Sequence, residues 1–210
     1  MKSVKKKYFP VVISAPSGGG KSTVKNHLVK KDKRFAFSVT CTTREKRPGE
    51  KEGRDYYFVD AAEFDRLRKM GELIEWAEVH GRLYGTPKRS VISILERGKI
   101  PFMTIDVKGA RSVKKIFADS VSVFLLPPDL RTMIKRLEKR GERPAEMKVR
   151  MNTARKELGE ALRFDYLVIN DRLEDAVNDI IGIANAEKCR LARNGAFAKD
   201  FKGQLSSLKI

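Results

Sequence analysis

The chain has 210 residues, 41% of them apolar, with 45 Lys and Arg against 27 Asp and Glu for a formal charge of +18. That length fills one core with room for a smaller inserted lobe and excludes two full domains of ordinary size. No run approaches the roughly 18 consecutive apolar residues of a membrane span, and no apolar segment follows the basic start at residues 1–7. The expectation is a soluble, cytoplasmic protein whose excess charge attracts phosphate-bearing partners, nucleotides or nucleic acids. Cys41 and Cys189 lie far apart, outside any C-x-x-C spacing, which excludes a disulfide framework or zinc site and leaves two plain thiols.

Residues 8–15, "YFPVVISA", read as a buried strand, and the turn at Gly18–Gly20 releases it into a helix carrying Val24 and Leu28. A short strand follows at 37–40. The polar stretch "CTTREKRPGEKEGRDYYFV", punctuated by Pro48, Gly49 and Gly53, is an excursion from the core. Residues 61–70 have helical spacing up to Gly71, and "LIEWAEV" then alternates as a half-buried strand does, with Glu75 and Glu78 facing away from Ile74 and Trp76 placed in the core. Thr86 followed by Pro87 opens a helix with Val91, Ile94 and Leu95 inside and Gly98 as its stop.

Strand patterns return at 101–106 and 120–126, and a helical pattern runs from Asp129 to Arg140. Residues 140–155 read as a mobile basic segment. A last buried strand, "YLVIN", spans 166–170, a closing helix spans 173–193, and 194–210 is a weakly periodic basic tail. Strands alternating with helices imply an α/β fold with a mainly parallel sheet covered on both faces and ligands at the carboxyl ends of its strands.

The stretch "SAPSGGGKST" carries the chemistry. Gly20, Lys21 and Ser22 complete the phosphate-loop pattern G-x-x-x-x-G-K-S/T, while Ala15 stands at its first glycine. Such a turn aims backbone N–H groups at phosphate oxygens, and the following helix adds about half a unit of positive charge. Lys21 would supply a point charge and Ser22 a hydroxyl for Mg²⁺.

Together with that loop, "SVTCTTREKRPGEKEGRDYYFV", "LIEWAEVHGRLYGT", "TIDVKGA", "RLEKRGER" and "FDYLVIND" resemble the guanylate kinase family in order and spacing, from about residue 9 to 184. The resemblance implies a three-layer P-loop kinase fold with a parallel central sheet, an inserted lobe of short mixed or antiparallel strands that binds GMP, and a helical lid. It would form one domain: core 8–38, 90–135 and 164–193, lobe 39–89, lid 136–163 and tail 194–210. The implied activity is transfer of the γ-phosphate of ATP to GMP, and to dGMP, in purine nucleotide metabolism, with Mg²⁺ as cofactor.

By the same resemblance, Ala15, Pro16, Ser17, Gly18, Gly19, Gly20, Lys21, Ser22, Thr23 and Asn170 would bind ATP. Arg44, Arg47, Tyr56 and Tyr84 would hold the GMP phosphate, and Glu75, Asp106, Thr40 and Thr86 would read the guanine. Two ionised carboxylates suit guanine, whose N1–H and exocyclic amine are both donors. Arg136, Arg140 and Arg150 would join Lys21 and Arg44 around the transferring group, where positioning and charge neutralisation supply most of the acceleration. Thr40 replaces the family's usual serine, Thr104 stands where an acidic residue is common, and the lid is one residue short between Arg140 and Arg150.

Three other readings compete. A binding module of the same fold typically lacks the loop lysine and serine, and both are present. A nucleic-acid binder is suggested by the charge, without a recognition motif. Another nucleoside monophosphate kinase is disfavoured by the two carboxylates. His27 and His80 read as surface residues, and the oligomeric state, monomer or homodimer, is left open.

Overall fold

The computed structural model describes residues 8–79, 81–139 and 144–207. Strand β1 (Val11–Ser14) is buried along its whole length and lies between β7 (Ile100–Thr104) and β8 (Val121–Leu126). Outside β7 lies β2 (Phe35–Phe37), and outside β8 lies β9 (Tyr166–Ile169). All four pairings are parallel. The chain leaves β1 toward one side of the sheet and later builds β8 on the other, so the crevice at the carboxyl end of β1 is a topological switch point.

The period-2 alternation of β1 supplies both faces. Val11 and Ile13 join a core with Leu28 of α1 (Lys21–Lys31) and Ile180 of α7 (Leu173–Cys189). Val12 points the other way, into a cluster with Val91 of α3 (Lys88–Glu96) and Val113 of α4 (Val107–Ile116). The result is three layers, helix, sheet and helix.

A second, mixed sheet is inserted between β2 and α3. It comprises β3 (Cys41–Thr42), β4 (Tyr57–Phe58), β5 (Leu73–Val79) and β6 (Arg82–Pro87) in the order β4-β3-β6-β5. Cys41 and Leu73 close a small core of their own with Phe64 of α2 (Ala61–Lys69). Both cysteines are free thiols: Cys41 is buried, with its pKa pushed up to about 11, and Cys189 is exposed.

Several expectations are corrected. Trp76 is not core: it is 46% exposed, with the Arg68 guanidinium 5.1 Å from its ring. Strand β5 is the edge of its sheet, and its pairing slips between Leu73 and Trp76, which breaks the alternation. From residue 144 on, the segment expected to be mobile is not a loose loop, because α6 (Pro144–Ala161) runs through it and buries Ala154. The strand expected at 37–40 sits at β2, two residues earlier. Helix α4 and strand β6 were not anticipated. Asp129 caps α5 (Leu130–Glu138) by accepting from Thr132 N at 2.6 Å. Residues 191–207 form α8 (Leu191–Ser207), tied to the body by Arg193 and the buried Glu187 at 2.9 Å. His80 and Arg140 lie outside the described residues. No helix among the described residues is long and apolar enough to cross a membrane.

Candidate active site

The glycine-rich turn leaves β1 and enters α1 with Gly18 at φ 82° and Gly20 at φ 98°, left-handed conformations that favour glycine. Gly19 N donates to Pro16 O at 2.9 Å, and Lys21 Nζ donates to the carbonyl of Ala15, folding the ammonium back over the loop. A Cβ on Gly19 would lie 2.6 Å from the Ala15 methyl. The absence of a side chain at Gly19 makes room for that methyl, which is why alanine can stand at the first position of the pattern. Gly20 precedes α1 with no side-chain cap, an arrangement suited to an anion, with Ser22 and Thr23 exposed beside it.

Asn170, at the end of β9, closes one side of the loop. Its Nδ2 donates to Gly19 O at 2.9 Å, and its own carbonyl accepts from Arg136 Nη2 at 2.9 Å. A cavity of about 410 Å³ opens there, lined by Gly18, Gly20, Thr23, Arg136, Lys139 and Asn170. From α6, Arg150 Nη1 donates to Ser17 Oγ at 3.2 Å. Arg136, at the Asn170 backbone carbonyl, and Arg150, at Ser17, therefore flank the loop from two different helices.

Across the crevice, Glu75 of β5 accepts from the hydroxyl of the buried Thr86 of β6 at 2.5 Å. Burial pushes the Glu75 carboxyl above its ordinary range, and the charge of Asp106 adds to the push against the Thr86 hydrogen bond. Asp106 is exposed and caps α4, its Oδ1 accepting from Gly109 N at 2.7 Å. A Cβ on Gly109 would lie 3.2 Å from Glu75 Cγ and 3.3 Å from Asp106 Oδ1, so this glycine lets the two carboxylates converge. Both line a cavity of about 440 Å³ with Trp76 and Lys108.

Farther out in the inserted sheet, Arg44 pairs with Glu50 at 2.6 Å and lies 5.3 Å from the Tyr56 ring, which meets Tyr84 edge to face with centroids 6.0 Å apart. Arg47 is exposed, joined to the cluster by its backbone N–H, which donates to Glu50 Oε2 at 2.8 Å. Thr40 is partly buried, its carbonyl accepting from Tyr57 N at 2.9 Å. Cationic side chains, Arg136 and Lys139, thus line the cavity beside the loop, and the carboxylates of Glu75 and Asp106 line the other.

Sequence reasoning missed three residues here. Glu50 holds Arg44, and Gly109 makes the close approach possible. Glu157 of α6 feels the charges of both Lys21 and Asp106. The glycine had a usable signal, three residues after a helix-capping aspartate; the two glutamates did not, since nothing local marks them. His27 is exposed on α1, as expected.

The Guanylate kinase family profile matches residues 7–187. A guanylate kinase from Carboxydothermus hydrogenoformans is 44% identical over 184 residues, covering 87% of this chain and 90% of that protein. One from Thermotoga maritima is 41% identical over 199 residues, covering 94% and 96%. A crystal structure of guanylate kinase from Anaplasma phagocytophilum superposes with a TM-score of 0.71 at 34% identity, covering 90% of each chain.

Proposed function

Because the chain belongs to the guanylate kinase family, we propose that it transfers the γ-phosphate of ATP to GMP at the crevice between its phosphate loop and its inserted sheet. The observation that carries the reading is the convergence of Glu75 and Asp106 around Gly109, in a chain whose loop carries Lys21 and is flanked by Arg136 at Asn170 and Arg150 at Ser17. Carboxylates accept and do not donate, so they select a base edge that offers two donors, as guanine does. The Lys21 and Ser22 that a pure binding module would lack are both in place.

In this reading the loop amides and Lys21 hold the ATP phosphates, while Arg44, Tyr56 and Tyr84 hold the GMP phosphate with Arg47 beside them. A guanidinium fork can grip two phosphate oxygens. Arg136, Arg150 and, from the family resemblance, Arg140 neutralise charge on the transferring group. The acceptor phosphate is already an anion, so no general base is required.

The residues fit Mg²⁺: Ser22 offers an exposed hydroxyl beside the loop, and Glu157 has a buried Oε2 that no described residue satisfies. Bound with ATP, the ion supplies charge neutralisation at the phosphates. Scattered lysines without base-reading groups support weak, salt-sensitive attraction to nucleic acid rather than a specific complex, and we read the protein as cytoplasmic.

The test is ADP release with GMP, dGMP, AMP, CMP and UMP as acceptors. Turnover with GMP and dGMP and refusal of the other three is expected; equal use of AMP would overturn the assignment of the base site.

A further inference from the structure

Glu157 makes none of the phosphate or base contacts proposed above, and its fit to the metal rests so far on one buried oxygen. It lies seven residues after Arg150 and three after Ala154, so the three share one face of α6. Arg150 on that face reaches Ser17, and Ala154 is buried. The face is therefore applied to the mouth of the phosphate loop. Glu157 Oε2 is buried there, and no donor among the described residues reaches it. Burial pushes its carboxyl above the ordinary range, Lys21 pulls it down, and Asp106 pushes it up again. The group thus stands between the loop and the base-reading carboxylate.

A buried acceptor without a donor is costly, and the ligands proposed for this crevice restrict what can satisfy it. Ionised phosphates only accept, and would repel a carboxylate. The Lys21 ammonium donates to Ala15 O and makes no hydrogen bond to Glu157 Oε2. A hydrated cation offers both positive charge and water donors. Mg²⁺ keeps several of its waters and uses few carboxylates, and in phosphate-loop enzymes one commonly comes from a strand end beside the loop. Here the two strands flanking β1 end in Thr104 and Leu126, neither of them acidic.

The geometry points to Glu157 as a positioning residue for Mg²⁺, accepting hydrogen bonds from the water shell of an ion held by Ser22 and the ATP phosphates. The inference rests on the ATP-binding reading of the loop. It makes metal binding dependent on α6, the helix that also brings Arg150 to the loop, so the ion and the arginine arrive together.

The test compares the wild-type chain with Glu157→Gln and Glu157→Asp. Binding of a non-hydrolysable ATP analogue in the presence of GMP is titrated once with Mg²⁺ and once with EDTA, and thermal melts check folding. Mn²⁺ binding to the same complexes, read by water-proton relaxation, gives metal affinity directly. Glu157→Gln is expected to bind the metal-free analogue at least as tightly as wild type, because a like charge has gone. Its Mn²⁺ affinity should fall by about tenfold or more, the usual cost of losing an outer-shell partner, and Glu157→Asp should recover part of it. Unchanged Mn²⁺ affinity in Glu157→Gln would overturn the proposal. So would an equal loss of nucleotide affinity with and without metal, which would assign Glu157 to packing or to Lys21. A wild-type chain that binds no ATP analogue would instead remove the loop reading, and this inference with it.

Discussion

Thr86 donates its hydroxyl hydrogen to Glu75 across 2.5 Å, joining the two long strands of the inserted sheet. The hydroxyl is thereby committed and one carboxylate oxygen is fixed, in a cavity whose lining Glu75 shares with Asp106. Thr86→Val keeps the shape and removes the donor, leaving a partly buried carboxylate oxygen unpaired at a cost of about 1–3 kcal/mol. The expected outcome in steady-state kinetics is a KM for GMP raised roughly tenfold or more, with KM for ATP little changed. Thr86→Ser should restore most of the loss.

Glu75 also predicts a pH dependence. Its carboxyl is pushed above the ordinary carboxylate range by burial, and ionisation makes it the pure acceptor that the proposed guanine contact requires. GMP affinity should therefore weaken as pH falls through that raised pKa. For folding the sign is opposite. A carboxyl with a raised folded-state pKa favours the fold at pH below its unfolded value, and that contribution is lost as pH rises through the folded pKa. Calorimetric GMP titrations over mildly acidic pH should show the weakening in wild type and a flatter profile in Glu75→Gln.

Arg44 is held ready by Glu50 and by the face of Tyr56. Arg44→Ala should raise KM for GMP by roughly ten- to a hundredfold, as expected when a charge-assisted contact to phosphate is lost. Arg44→Lys should recover little, since a single ammonium cannot reproduce the fork. The contrast is read from initial rates at varied GMP.

The parts legible in the sequence were those with local causes. The strand, glycine turn and helix of the phosphate loop follow from composition and period, and so do α3 and α5. What was not legible depended on pairing across the chain. Trp76 alternates correctly with Ile74, yet it lies on an edge strand whose register slips, which no local pattern reveals. Basic residues at 140–155 suggested a loop, but the burial of Ala154 comes from packing α6 against the body. Glu50 and Glu157 are ordinary surface glutamates in sequence, and only tertiary structure brings them to Arg44 and to the loop.

Gly20 tests the loop's conformation. A methyl there would lie 2.1 Å from Asn170 Nδ2 at a φ of 98°, so Gly20→Ala combines backbone strain with displacement of Asn170. A destabilisation of about 1–3 kcal/mol is expected, seen as a lowered Tm, together with weakened ATP binding and a nearly unchanged affinity for GMP. Loss of GMP affinity in equal measure would show that the two halves of the crevice are not separable.

The central claim is that Glu75 and Asp106 read the guanine edge, and the most direct measurement is the ratio of kcat/KM for GMP over AMP in Glu75→Gln/Asp106→Asn. Both amides preserve the local structure: glutamine can still accept from Thr86, and asparagine caps a helix as well as aspartate does. Adenine sets an acceptor against one carboxylate and leaves the other unpaired, and sites built for particular donors reject such analogues by about 10⁴ to 10⁵. The account predicts that the double amide loses GMP activity and that the ratio narrows by orders of magnitude. A double amide with the wild-type ratio would contradict it.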